Sequence, residues 1–268
     1  MSRSIIRSLF VAALCAAGAA QAGTVYVPTP GVSTVGGTSY EAQVAVTNTA
    51  VQPRETRQLL LANDTDGTQR GAQSTPVQVL AGRTAVIKPG ASFRGLLELT
   101  GPADLGYSAR LAGARLGVQL PVITSDNLIK PNQTTVLQGL VSGNGRATDV
   151  ALVNLGHQGS QCTVGLFRAD GSALAPAATV QLKPLSQVYF ANALGNAGAV
   201  TEVRAAVSCT RDFYAYALLT DGATGEVSVV APAASGGSLL QVPGAGPACP
   251  VGAQCFDFKG VVHQPTQG

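Results

Sequence analysis

Acid–base, nucleophilic or metal chemistry in this chain has little to draw on: two histidines, fourteen acidic residues and five cysteines among 268 residues. His157 sits in the loop-like stretch Asn154-Leu-Gly-His-Gln-Gly159, and His263 lies near the end of the chain, in a different unit. A lone histidine in a loop reads as a solvated side chain, not as a general base. No G-x-S-x-G elbow, H-E-x-x-H pair or Walker-type phosphate loop occurs. Gly143-Asn-Gly145 begins like a dinucleotide fingerprint, but a strand follows where a helix N-terminus would have to hold the pyrophosphate. It reads as a turn.

The best ion-binding candidate is Asn63-Asp64-Thr65-Asp66-Gly67, whose alternating oxygen side chains resemble part of a calcium loop. No acidic residue follows at the spacing that completes such a shell, and the matching stretch Arg168-Ala-Asp170-Gly171 keeps only the turn-forming pair, so a turn is expected here too. Glycoside hydrolysis needs two facing carboxylates, and the acidic residues are scattered. Neither a cofactor nor a metal is expected.

Cys15 falls in the leader described next, which leaves Cys162, Cys209, Cys249 and Cys255. Three pairings are open to them; keeping each bridge within one local unit favours Cys162 with Cys209 and Cys249 with Cys255. With no C-x-x-C and no Cys–His cluster, these are structural bridges.

The leader is residues 1–22. Arg3 and Arg7 precede an apolar stretch from Leu9 to Ala20, and Ala20-Gln21-Ala22 has the small-x-small pattern of a signal-peptidase site. The mature chain is expected to begin at about Gly23, secreted to the periplasm or outside the cell. Lipidation at Cys15 fits poorly, because bulky Leu14 precedes it. Beyond the leader, Gly, Pro, Asn or a charge interrupts every apolar run well before the ~20 residues of a spanning helix, so no transmembrane segment is expected.

The elements that must carry these residues read as strands. Charged residues make up 12% of the chain and tryptophan is absent, which suits a β-sandwich and excludes a coiled coil. A net charge of +3 from scattered Lys and Arg does not point to nucleic acid. Tyr40-Glu-Ala-Gln-Val-Ala-Val46 alternates, with Tyr40, Ala42, Val44 and Val46 on one face. Thr38–Asn48 is echoed by Gly145–Asn154, about a hundred residues later, a usual size for one sandwich. Further landmarks keep the same order. Arg57–Ala62 followed by Asp66-Gly67 matches Cys162–Arg168 followed by Asp170-Gly171, each a strand leading to a hairpin turn where Gly supplies positive φ. Thr84–Gly90 is set against Thr179–Pro184, Leu96–Leu99 against Val203–Val207, and Tyr107 against Tyr214. A short helical turn is expected in Ala191–Ala197.

The expected fold is all-β: a signal peptide (1–22), two tandem antiparallel β-sandwich domains (23–125 and 126–235), and a Gly/Ala/Pro-rich tether with a disulfide-clipped C-terminal segment (236–268). This pattern, over about residues 24 to 232, resembles the tandem immunoglobulin-like or fibronectin-like β-sandwich modules of bacterial secreted proteins. The resemblance implies modules that space, present or join other parts. The expected function is therefore a non-enzymatic secreted or cell-surface structural or adhesive role, exercised on a protein or cell-envelope partner. Two alternatives stay open: accessory domains of a secreted hydrolase that continues beyond Gly268, and a glycan-binding module. For the latter, Tyr26 and Tyr189 are the tyrosines left outside the expected strands.

Overall fold

The computed structural model describes residues 22–31, 34–69, 74–114, 117–233, 255–256 and 262–263. Eight strands and one short arm build the first half. They are β1 (Ala22–Pro30), β2 (Thr34–Val35), β3 (Thr38–Asn48), β4 (Arg54–Ala62), β5 (Thr75–Val79), β6 (Thr84–Ile87), β7 (Arg94–Pro102), β8 (Leu105–Gly113) and β9 (Gly117–Leu120). One antiparallel sheet runs β1-β7-β4-β5; the other runs β2-β3-β8-β9, with β6 also on β3. The alternation of β3 does what the sequence implies. Tyr40, Ala42, Val44 and Val46 are buried and meet Val25, Val27, Leu97 and Leu99 from the opposite sheet, so the two sheets form a sandwich.

The second half comprises β10 (Thr134–Ser142), β11 (Arg146–Asn154), β12 (Ser160–Phe167), β13 (Ala173–Leu182), β14 (Ser186–Phe190), β15 (Val200–Cys209), β16 (Tyr214–Asp221) and β17 (Glu226–Val230). Its sheets run β10-β15-β12-β13 and β14-β11-β16-β17, the same order as the first half when β1 is matched to β10 and β3 to β11. Even the closing contact repeats: Tyr26 bridges Ile123 after β9, and Val136 bridges Ala233 after β17. Two neighbour relations agree with the immunoglobulin order, second strand beside fifth and third beside sixth. In both halves, however, the first strand lies beside the sixth and the seventh beside the second.

Two landmarks shift register. β3 pairs with β6 and β11 with β14, so Thr84–Ile87 corresponds to Ser186–Phe190, while Thr179–Leu182 belongs to β13, the counterpart of β5. The shared Lys-Pro dipeptide is not equivalent in the two halves, because it follows β6 in one and precedes β14 in the other. Likewise Val46 faces Tyr107 and Leu152 faces Ala215, so the counterpart of Tyr107 is Ala215 and not Tyr214. A one-residue slip turns a side chain to the other face of its sheet. Tyr107 accordingly packs on its own core, and Tyr214 points away from its own.

Asn48 and Asn154 do correspond, and each ties one end of its sandwich together. Both are fully buried. Asn48 Nδ2 donates to the carbonyls of Gln52 and Val79, and its Oδ1 accepts from Ala50 N. Asn154 does the same with Gln158, Lys183 and Gly156. An amide side chain has both donors and an acceptor, so it satisfies three backbone groups where the chain leaves the sheet. Cys162 and Cys209 form a disulfide between directly opposed residues of β12 and β15, with a Cα–Cα distance of 4.0 Å.

The connection between the two sandwiches is packed: Ile123 is fully buried and Ser125–Asn127 forms a 3-10 turn. The expected helical turn shrinks to a 3-10 turn at Gly195–Ala197. Two further strands, β18 (Cys255–Phe256) and β19 (Val262–His263), pair with each other. The leader up to residue 21, Cys15 and Cys249 lie outside the described residues, as does most of the tail. No helix among the described residues is long and apolar enough to cross a membrane.

Asn48→Ala and Asn154→Ala should each destabilise the protein by about 2 kcal/mol, since buried carbonyls lose their donors. The double variant should show the sum, because the two clamps share no partner. Denaturant unfolding of the three variants checks this.

Candidate functional site

The residues singled out for chemistry are engaged in holding turns. Asp66 accepts from Thr68 N at 2.9 Å and from the Thr68 hydroxyl, and these bonds hold its carboxyl below the usual range. Asp170 does the same with Ser172 N and Oγ, both at 2.8 Å, and is lowered for the same reason. The Asp64 carboxylate faces a cation already: Lys183 Nζ lies 3.4 Å from its Oδ1 and donates to its backbone carbonyl at 2.7 Å. The loop is a turn with a lysine on it. His157 is exposed in the β11–β12 loop, and His263 lies in β19, whose side chains are outside the description. Among the described residues no three His, Cys, Asp or Glu side chains come together as a metal site.

Gly67 holds its place for a reason other than the expected one. Gly171 has φ of 86° in the β12–β13 hairpin, whereas Gly67 has no positive φ. A Cβ on Gly67 would stand 2.4 Å from the carbonyl oxygen of Leu185, and Gly67 N donates to Pro184 O at 3.0 Å. Close approach to the other half of the chain requires the glycine.

That approach belongs to a seam joining the two sandwiches. The outer face of β1-β7-β4-β5 presents Leu59, Leu61 and Leu96, and the outer face of β14-β11-β16-β17 presents Ala151, Val153, Tyr214 and Tyr216. With Ile123 and Leu185 they form one buried cluster, against which Tyr26, Leu128, Leu155 and Tyr189 pack. Several polar groups bridge it or lie at its border in hydrogen bonds. Tyr216 OH donates to Gln187 Oε1 at 3.3 Å, Asp64 N donates to Gln187 O at 2.8 Å, and Tyr189 OH donates to Asp149 Oδ2 at 2.7 Å. The Arg94 guanidinium stacks 4.5 Å from the centre of the Tyr189 ring. At one rim Tyr40 OH donates to Gly225 O.

Burial raises the phenols of Tyr189, Tyr214 and Tyr216 above the ordinary tyrosine value; for the first and last the Asp149 carboxylate adds to it and Arg94 opposes it. The expected free tyrosines are therefore structural: Tyr26 is in β1 and Tyr189 in β14, both against the seam. Each of the six tyrosines is buried or half-buried. A cleft of about 760 Å³ opens beside Tyr26, Tyr107 and Leu155, and its lining carries a single carboxylate, Asp126. One carboxylate does not make a glycosidase pair.

The two outermost faces differ. On the first sandwich Gln43, Ala45, Val86, Ser108 and Arg110 surround a shallow hollow, with Arg110 Nη2 donating to Gln43 Oε1 at 3.0 Å. On the second, the Phe167 ring fills the space beside Gly165 that a Cβ would take, with Arg204 5.9 Å from its centre.

Sheet edges are the remaining backbone surface, and most are blocked. In β1, Tyr26 turns its N–H and C=O to Ile123, and of the other outward positions Pro28 and Pro30 bring no N–H, which leaves only the start of the strand, Ala22 and Thr24. Val136 of β10 exchanges with Ala233, Gln187 of β14 receives Asp64 N, and β9 lies against β17. β5 and β6 are five and four residues long. β13 differs: it is ten residues long, Ala-Leu-Ala-Pro-Ala-Ala-Thr-Val-Gln-Leu, uncharged, and exposed along most of its length.

Its outward groups follow from the register. Gln161 N and O both bond to Thr210 on the β15 side, so Cys162 faces β13 and bonds Val180. Thr179 and Gln181 then direct their N–H and C=O away from β12. Nothing among the described residues receives them. The sequence could not name this edge, because edge position depends on which strands pair.

Comparison with known proteins gives no relative: no protein-family model, no curated protein and no solved structure matches the chain.

Raised phenol pKa values contribute stability that is complete below the unfolded-state value of about 10 and is lost as pH rises toward the folded values. In an alkaline titration, tyrosinate absorbance from the seam should therefore appear only together with loss of tertiary structure. Tyr216→Ala should cost about 3–5 kcal/mol and should split a shared thermal transition into two, as read by calorimetry.

Proposed function

We propose that this is a non-enzymatic, secreted or cell-surface structural protein that acts through protein–protein contacts made at a sheet edge. The open, uncharged β13 carries the proposal. An extended partner strand gains affinity there from main-chain hydrogen bonds and selectivity from alternate side chains. The seam supports the reading, since it holds both sandwiches as one body and fixes where β13 points. The acidic side chains support it too. Asp104 is paired with Arg54, Glu41 with Lys88 and Asp212 with Lys130, while Asp149 holds Tyr189 and Asn192 N. A glycan platform of exposed aromatic rings has no counterpart in the packed tyrosines.

Secretion enters the proposal through the leader: intact mass of the protein from its native host should correspond to a mature chain beginning at about Gly23. For the contact itself, a photo-reactive side chain placed at Gln181 and activated in that host should give a covalent adduct with a protein. The same group at Val51, which is 93% exposed in the β3–β4 loop, should not. Equal labelling at both positions, or none at Gln181, would remove β13 from the account.

A further inference from the structure

The sequence around the open edge has an internal symmetry. Pro176 and Pro184 flank Val180 at equal distances, and the segment between them carries one charge, Lys183, already held by Asp64. A proline has no N–H to give a ladder, and the Lys183 carbonyl already accepts from Asn154 Nδ2 and Ser186 Oγ, so the usable edge is residues 177–182. Thr179 and Gln181, the residues whose backbone groups face outward, lie on either side of Val180.

We propose that the strand β13 receives is β13 of a second copy of this chain, antiparallel across a twofold axis at Val180. This rests on the reading of β13 as the contact surface and names its occupant. In that register Thr179 faces Gln181 of the partner subunit and Gln181 faces Thr179 of the partner subunit, each as a hydrogen-bonded pair. Val180 meets its own copy in the close, non-hydrogen-bonded position. Both prolines fall opposite each other, outside the ladder. An axis midway between two residues would oppose inward-facing to outward-facing groups, and an axis on Thr179 or Gln181 would set a proline of one copy against Leu182 or Ala178 of the partner subunit. No like charges face each other, and Thr–Gln contacts on one face are compatible with hydrogen bonding between side chains. A twofold interface uses the same patch on both copies, which the placement of the prolines allows. The contact is small, so the dimer belongs to high protein concentration or to a crowded surface.

Sedimentation velocity over a concentration series should show reversible dimer for the mature protein. Thr179→Pro removes an N–H that β12 does not use; it should keep the melting temperature and weaken dimerisation at least tenfold. On mild oxidation Val180→Cys should give a disulfide-linked dimer, whereas Thr179→Cys should not, because residue 179 faces residue 181 of the other copy. A monomer at every concentration, undiminished association of Thr179→Pro, or equal cross-linking from both cysteine variants would overturn the self-pairing. A persistent monomer whose Gln181 still photo-labels a different protein would overturn the second copy as occupant and leave the edge-contact reading in place.

Discussion

The seam between the outer faces of β1-β7-β4-β5 and β14-β11-β16-β17 is the constraint on which the rest depends. A sandwich ordinarily buries the inner faces of its sheets and leaves the outer faces to water. Here one outer face from each half is apolar, and only their mutual contact removes that surface from solvent. From that contact follow the glycine at position 67, the fully buried Tyr216, the Arg94–Tyr189 stack and the bonds of Gln187 to both halves. The repeat is thus two sandwiches with three apolar layers, each half contributing one core and the third shared.

Much of this was legible in the sequence and some was misread. The alternation of Tyr40 to Val46 correctly placed one face of β3 in a core, and the Asn48–Asn154 match located equivalent corners. The signal for the seam was also present. The second copy of that strand does not alternate: Val150-Ala-Leu-Val153 is apolar throughout, as is Phe213–Leu218, and strands covered on both faces read as continuous runs. Treating the two copies as equivalent hid that difference. Register errors at Thr84–Gly90 and Tyr107 had another source, since matching dipeptides and tyrosines were weighed above the period-two pattern that fixes which face a residue occupies. Edge identity was beyond reach, because it is set by non-local pairing.

Function, on this reading, resides in backbone rather than side-chain chemistry. The protein spends its carboxylates on turns and ion pairs and its tyrosines on packing. It closes its edges by prolines in β1, by returning chain at Ile123 and Ala233, by contact between the halves at β14 and at β9 with β17, and by brevity in β5 and β6. β13 combines length with neutrality. An edge of that kind invites pairing, and Pro176 restricts how much of it another strand can use.

The unlike outermost faces set a limit on growth by duplication. Where the second sandwich places Tyr214 and Tyr216 on the seam, the first has Gly106 and Ser108 at the paired positions, beside Gln43 and Arg110. Where the first sandwich places Leu61 and Leu96, the second has Phe167 folded onto Gly165 under Arg204. Neither face offers the greasy half that the other would need. The pair therefore ends in two different wettable faces, and a third unit could not be joined to either by reusing the same joint.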